Sequence, residues 1–471
     1  MKSTVRQTLK GCLSLFCLFA VSLLRGQDAK NLAKATERAN DYVKAGAYAK
    51  AISIYEQTLK DHAPSEEVNF ATKSGGSRSA FAPNTPKKVK AHKMSSRQVQ
   101  STRLRLANCY RQLNRPADAE PLFTQVFDDS LSSLTLRPDE YVNYGEVLLQ
   151  LGRYDSAANI LKQRLISEPD HEKTLLLIRS CEVARHIKPF FSNVEIKEFP
   201  FNTKGDDNAP FLLEGSLVFT SDGRNSSGFL SNIFSSKSGA TGRSFLQIYQ
   251  AKPNEKAENG FEKPKKLSRR LFEIGRNTAN ASFTADGSMV FFAQNDVNDD
   301  NTGSFRMQIY CAERKGDAYG NIRKMPFCYS TRNFFHPAIS PDGKHLYFVA
   351  EREDGVGGTD IWVSHLSEKG TWSKAENLGN IVNTVANEAF PFVATDGSLY
   401  FCSKGHAGFG GFDIFKTKWE NGKWTTPLNL GMPINSPSDD ISFCIDATNK
   451  RGAFATTKGR NGDDIILFEL K

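Results

Sequence analysis

Two histidines, one alternating run of acidic and amide side chains and three recurring aspartates are the residues in this chain whose types and spacing could do chemistry. His336 precedes Pro337 and His406 follows Gly405. On one rim of a β-structure, two imidazoles would serve as bases or metal ligands. Spacing fixes no carboxylate partner for either, so packing and surface roles compete with that reading. Asp296, Asn298 and Asp300 alternate as in a calcium loop, but the turn-glycine position is Asn301 and no bidentate glutamate follows at the required distance. A solvated loop is the favoured reading. Asp360, Asp413 and Asp464 stand beside Gly357-Gly358, Gly410-Gly411 and Gly462. Recurrence at one place in each unit points to aspartates that accept backbone hydrogen bonds in their own turns, rather than to a catalytic carboxylate ring. The sequence has no Gly-x-Ser-x-Gly elbow, His-Glu-x-x-His pair or phosphate loop. The expectation is a protein that is not an enzyme, with no cofactor and no metal.

The elements that must position these residues are repeats. Residues 383–430 form one complete copy: Glu388–Ala394, the turn Thr395-Asp396-Gly397, Ser398–Ser403, Asp413–Thr417 and Lys423–Leu430. Short β-branched or aromatic runs between Gly, Asp and Asn turns predict four antiparallel strands. The turn recurs at Leu213-Glu214-Gly215, Ala285-Asp286-Gly287 and Pro341-Asp342-Gly343, with a degenerate copy over Ile441–Asp446. The third strand recurs at Gln247-Ile248-Tyr249, Gln308-Ile309-Tyr310, Asp360-Ile361-Trp362 and Asp464-Ile465-Ile466. This predicts a five-bladed β-propeller, with six blades as the alternative because the spacing between the first two copies is long. The last copy lacks a fourth strand, and Asn193–Pro200 reads as the strand that supplies it, closing the ring and removing a sheet edge.

The pattern of Asn-Thr, an apolar strand with Pro, Pro-Asp-Gly, Leu-Tyr-Phe and Gly-Gly-x-Asp-Ile-Phe resembles the WD40-like PD40 repeats of TolB-type propellers, in the style of Bacteroidota envelope proteins. The motifs are specific for fold and weak for activity.

Residues 1–26 resemble a cleaved secretory signal: Lys2, Arg6 and Lys10, the apolar run Cys12–Leu24, then Arg25-Gly26. That run is too short to span a bilayer. The formal charge of +9 falls by four when the leader's cations leave, too little for a nucleic-acid footprint. Apolar content of 39% suffices for packed cores. None of the six later cysteines forms a Cys-x-x-Cys pair, which argues against zinc and thioredoxin-like chemistry. Cys311 and Cys328 flank one hairpin where a disulfide would fit, but buried free thiols are the favoured state.

Over 27–188 the period becomes helical. Ala39, Gly46 and Ala51 align with Ala107, Asn114 and Ala119, and with Gly145, Gly152 and Ala157. These three copies, about 34 residues long, resemble the tetratricopeptide repeat. The small residues let paired helices approach, and Gly46, Asn114 and Gly152 suit left-handed turns. Residues 64–96 form a basic flexible insertion for which a solvated loop is the favoured reading, the alternative being that Lys87, Lys88, Lys90 and Lys93 touch an anionic envelope surface. Domain boundaries are therefore expected at 1–26, 27–188 and 189–471.

Exported tetratricopeptide repeats before a PD40 propeller resemble the N-terminal half of PorE and OmpA-family envelope proteins of Bacteroidota. The resemblance implies a non-catalytic periplasmic scaffold near the outer membrane, in an assembly of type 9 secretion or gliding, here without the OmpA-like anchor. In a propeller the second-to-third-strand loops and the linkers between blades share a face, where Ser221–Ser244 is long and 294–304 acidic. Candidate partner-binding residues are Arg224 and Phe229 in that insertion, His336, His406 and the four lysines. Protein partners in the cell envelope are expected, with no nucleic acid and no transmembrane span. The alternative is a ligand-binding or enzymatic propeller acting on a glycan, peptide or small molecule.

Overall fold

In the computed structural model the chain is described over residues 29–62, 93–128, 134–223, 244–271, 276–296, 306–457 and 462–471. The leader 1–26, most of 64–96, Arg224, Phe229, Asn298 and Asp300 lie outside the described residues. The chain divides into two compact units, one ending at Leu136 and one comprising Arg137–Ser238 with Arg243–Lys471. The change from helix to strand falls later, after the helix ending at Val183, so the second unit carries helices as well as sheets.

The first unit holds α1 (29–44), α2 (Tyr48–His62), α3 (Ser96–Gln112) and α4 (Pro116–Asp128). Ser95 caps α3 through a reciprocal bond with Gln98, satisfying two otherwise orphaned N–H groups. Gly46 and Asn114 take φ of +70° and +52° in the turns α1–α2 and α3–α4, the left-handed conformation expected of them. Ala39, Ala51, Ala107 and Ala119 are fully buried, so no side chain holds these helices apart. The second unit opens with α5 (Pro138–Gln150), α6 (Tyr154–Leu165) and α7 (Glu172–Val183). Gly152 takes φ +70° between α5 and α6, and a Cβ on Gly145 would come within 2.5 Å of Leu161. The close approach forbids anything larger there.

Five sheets follow. In chain order after β1 (Val194–Glu198), the first sheet is β2 (Asp207–Leu213), β3 (Ser216–Ser221), β4 (Gln247–Ala251) and β5 (Lys265–Lys266). The second is β6 (Thr278–Phe283), β7 (Met289–Asn295), β8 (Met307–Lys315) and β9 (Ala318–Lys324). The third is β10 (Phe334–Ile339), β11 (His345–Ala350), β12 (Asp360–His365) and β13 (Glu376–Asn377). The fourth is β14 (Glu388–Val393), β15 (Ser398–Ser403), β16 (Asp413–Glu420), β17 (Lys423–Trp424) and β18 (Leu428–Asn429). Here the expected single fourth strand is two fragments, because Pro427 has no N–H to offer the ladder. The fifth sheet is β19 (Asp440–Ile445), β20 (Arg451–Thr456) and β21 (Asp464–Leu470), with β1 paired antiparallel to β21 as its outer strand.

The inner strands touch in the cycle β2, β6, β10, β14, β19 and back to β2, which makes the sheets five blades of a propeller. One apolar core fills each gap between neighbouring blades, anchored by Phe292 (blades one and two), Phe348 (two and three), Phe401 (three and four), Phe454 (four and five) and Phe219 (five and one). Each such ring contributes roughly 1.5–3 kcal/mol by leaving water. The ring therefore owes its stability to side chains shared between blades.

An asparagine stitches each gap. Asn202, Asn277, Asn333, Asn383 and Asn435, each just before an inner strand, accept the backbone N–H of Ile465, Leu246, Met307, Ile361 and Ile414, which lie in the third strand of the preceding blade or, for Leu246, immediately before it. Asn202, Asn383 and Asn435 also donate to the carbonyl of the same isoleucine. Asp360 and Asp413 begin their third strands by accepting N–H bonds from Val356 and Gly357, and from Phe409 and Gly410. The reading of these aspartates as turn acceptors holds. In blades one and two a glutamine takes that place, and Gln247 and Gln308 donate to the carbonyls of Arg276 and Arg332 in the next linker.

Asn435→Ala would leave the buried Ile414 N–H without its acceptor, and is expected to destabilise the protein by about 2–3 kcal/mol. The urea midpoint of unfolding checks this, and a change below about 0.5 kcal/mol would mean that the seam does not depend on the amide.

Candidate functional site

Every inner strand carries a one-residue irregularity at the same register position. The residues there, Ala209, Asn280, His336, Phe390 and Ser442, all have φ between +48° and +56°. Pro210, Pro337 and Pro391 follow three of them, and a bulge before proline sacrifices no ladder donor. The bulges turn backbone N–H groups toward neighbouring blades: Ala209 donates to Ser442 Oγ (3.1 Å), Asn280 to Thr220 Oγ1 (2.9 Å) and Phe390 to His336 Nδ1 (3.2 Å).

His336 thus stands on the propeller axis. Its ring stacks on Phe390 with centroids 3.7 Å apart and planes at 18°. A nitrogen that accepts an N–H carries no proton, so the ring is neutral with its hydrogen on Nε2. Burial pushes its pKa down to about 3, and its remaining accessible surface lines the axial cavity. That cavity holds about 40 Å³, room for a water or two among the prolines and Phe211, Phe392 and Phe443.

His406 has different neighbours. Its Nε2 lies 2.9 Å from the Val382 carbonyl and its ring packs against Phe401 and Phe415. Burial lowers its pKa as well. Lys93 is exposed, while Lys87, Lys88, Lys90, Arg224 and Phe229 fall outside the described residues. Asp296 accepts from Lys324 Nζ (2.8 Å) and Tyr310 Oη (3.0 Å). Cys109, Cys181, Cys311, Cys328, Cys402 and Cys444 are free thiols, with Cys402 and Cys444 wholly enclosed. Among the described residues no three His, Cys, Asp or Glu side chains converge as a metal site.

Three buried carboxyls escaped notice in the sequence. Glu388 accepts from Thr384 N (2.8 Å), Thr384 Oγ1 (2.7 Å) and Ser403 Oγ (2.6 Å), and burial raises its pKa to about 7. Asp440 accepts from Ser436 N and is likewise raised to about 7 by burial. Asp207 repeats the arrangement with Thr203. The signal was present as Asn-Thr or Asn-Ser followed by an acid four positions after the hydroxyl residue, but a linker reading conceals it.

The two faces of the propeller differ. On the face of second-to-third-strand loops and linkers, the α5–α7 segment packs against blades four and five. Gly152 meets Pro437, Gly410 meets the Leu149 carbonyl, and Gly408 N donates to Ser180 Oγ (3.4 Å). The face of first-to-second-strand turns opens into a central funnel of about 880 Å³. Phe211, Leu213, Phe283, Ile339, Phe392 and Ile445, from the ends of all five inner strands, line its throat. Glu195, Glu214, Glu255, Asp446 and Glu469 outnumber Lys197 and Arg451 around it. Sequence reasoning favoured the opposite face because its loops are longest. The funnel comes from apolar residues just before each turn, whose convergence needs the closed ring.

The fold and site define a five-bladed β-propeller with a helical segment seated on one face. No protein-family model matches the sequence, and no curated protein matches it. Similar solved structures include a TolB of Agrobacterium tumefaciens, 17% identical over 56% of this chain and 78% of that one, with a TM-score of 0.34. A puromycin-hydrolysing peptidase of Mycobacterium tuberculosis is 16% identical over 58% of this chain and 47% of its own, with a TM-score of 0.32. The β-xylosidase RS223 is 14% identical over 59% and 95%, with a TM-score of 0.38. Likenesses this distant carry no argument about activity, and the blade count rests on the strand pairing described above.

His336→Asn places at this bulge the residue that blade two already has there, Asn280. Wild-type His336 is neutral when folded down to about pH 3 but takes a proton near 6.5 when unfolded, so its contribution to stability declines as pH falls through that window. The variant is expected to lose about 1–2 kcal/mol at pH 7 with the ring stacking and to show a shallower decline between pH 6.5 and 4. Thermal unfolding across that range measures both effects.

Proposed function

We propose that this chain is a non-catalytic scaffold that binds protein partners in a cell-envelope assembly, exported to the periplasm and associated with the outer membrane, in the manner of type 9 secretion or gliding components. The observation that carries this reading is the turn-face funnel, where the ends of all five inner strands present an apolar throat inside a largely acidic rim. A concave apolar site ringed by polar groups is where proteins hold ligands and partner segments. The helix pairs α1–α2, α3–α4 and α5–α6 are read as tetratricopeptide repeats. Left-handed Gly46, Asn114 and Gly152, with buried small residues at the helix crossings, support that reading. No helix among the described residues is long and apolar enough to cross a membrane.

A second reading, a propeller that takes a small ligand, draws on a cleft between blades three and four that adjoins the funnel at Pro341, Val393 and Thr395 and carries a histidine pair and two tryptophans.

The test is crosslinking and capture of the tagged full chain from envelopes of its own host, beside the variant Ala285→Arg with Ala447→Arg. Both alanines are exposed at the funnel, so the arginines obstruct it without entering a core. Melting should shift little, since exposed substitutions cost within about 0.5 kcal/mol. The scaffold reading expects discrete envelope proteins with wild type and at least about a tenfold loss of one of them with the variant. Equal recovery by both proteins would remove the funnel from the proposal, and recovery of nothing would remove the scaffold.

A further inference from the structure

The cleft between blades three and four has a volume of about 690 Å³, meets the funnel's rim at Pro341, Val393 and Thr395 and takes none of the residues of its throat. Its apolar wall includes Tyr347, Trp419 and Trp424. The indoles of Trp419 and Trp424 stand 5.4 Å apart at 73°, and Tyr347 meets Trp424 edge to face at 6.4 Å. Trp419 is 56% exposed, an unusual position for the largest apolar side chain unless something covers it.

The polar wall is acidic. Asp342 and Glu376 line the cleft, and none of its lining residues is a lysine or arginine. Burial works to raise the pKa of Asp342, but bonds from Ser340 and the Lys344 N–H outweigh it and hold the carboxylate below its usual range. Between the two carboxylates lie His345 and His365, whose Nδ1 atoms are 2.7 Å apart. One nitrogen donates and the other accepts, so the contact requires at least one ring to be neutral. Their Nε2 atoms face Asp342 and Glu376 at 3.8 and 3.9 Å. Aromatic π-surfaces beside carboxylates, with no fixed cation in the lining, form an environment that attracts positive charge and is poor for anions.

We propose that this cleft binds an organic cation, an alkylammonium group held against Trp419, Trp424 and Tyr347 with Asp342 and Glu376 as counter-charges. The group is either that of a free amine or the side chain of a lysine on a peptide, and both present the same chemistry to the cleft.

The experiment titrates the full-length protein with choline, with blocked acetyl-lysine-methylamide and with 3,3-dimethylbutanol, the uncharged counterpart of choline. Binding is followed by tryptophan fluorescence and calorimetry. Saturable binding of at least one cation is expected, with the neutral alcohol at least about tenfold weaker. Preference for choline assigns the site to a free quaternary amine, and preference for the lysine derivative to a peptide. Trp419→Ala is expected to weaken the preferred cation by about tenfold. The exposed Glu376→Gln, made together with Asp342→Asn, should do the same while leaving the aromatic wall intact. No saturable binding of either cation overturns the proposal. So does equal affinity for the alcohol, or binding that survives both sets of substitutions unchanged.

Discussion

The propeller depends on a single kind of bond, the side-chain amide of an asparagine spanning each gap between blades. An apolar core alone would allow neighbouring blades to slide, because the hydrophobic effect has no direction. Asn202, Asn383 and Asn435 each bond both the N–H and the C=O of one isoleucine, which fixes the distance and the register of the gap they cross. Around them the buried acids at the head of inner strands and the aspartates or glutamines at the head of third strands complete a polar layer on the loop face. In a low-dielectric interior such a layer is satisfied as a whole or costs as a whole. Glu388 and Asp440, with pKa values raised to about 7 by burial, and Asp413, pushed well above the usual carboxylate range by burial and then by the neighbouring Asp440, mark where that cost is concentrated.

Much of this was legible in the sequence and some of it was not. Turn glycines and alternating aromatic strands announce blades because they obey local rules, and Gly215, Gly287, Gly343 and Gly397 all adopt the positive φ their turns require. Gly46, Asn114 and Gly152 were equally readable, for the same reason. The aspartates beside glycine pairs read correctly as turn acceptors because the partner atoms lie three or four residues away. His336 was not readable. Its job is set by Phe390 of the next blade, which no local pattern brings near it. The funnel was hidden likewise, since Phe211 and Ile445 become neighbours of one opening only when five sheets share an axis.

The helical segment α5–α7 changes what the loop face offers. With Leu149, Gly152 and Ser180 against the loops and linker of blades four and five, part of that face is already occupied by the chain itself. The turn face keeps its funnel and its cleft between blades three and four. Length of loop, the sequence-level guide to binding, pointed to a face that α5–α7 partly covers at blades four and five.

The fifth blade draws β1 from one end of the sheet region and β19–β21 from the other, and the bond from Ile465 to Asn202 joins residues 263 apart. Bringing such distant segments together costs chain entropy on the order of 5 kcal/mol before any contact repays it. The last blade cannot close before Asp464–Leu470 has been made, and until then Phe199 and Phe219 lack the Ile465 surface they pack on. The seam is thus a timing device as well as a joint. Until that strand is made, the cores between blades four and five and between blades five and one lack Phe468 and Ile465, so closure of the ring waits on the seven residues Asp464–Leu470.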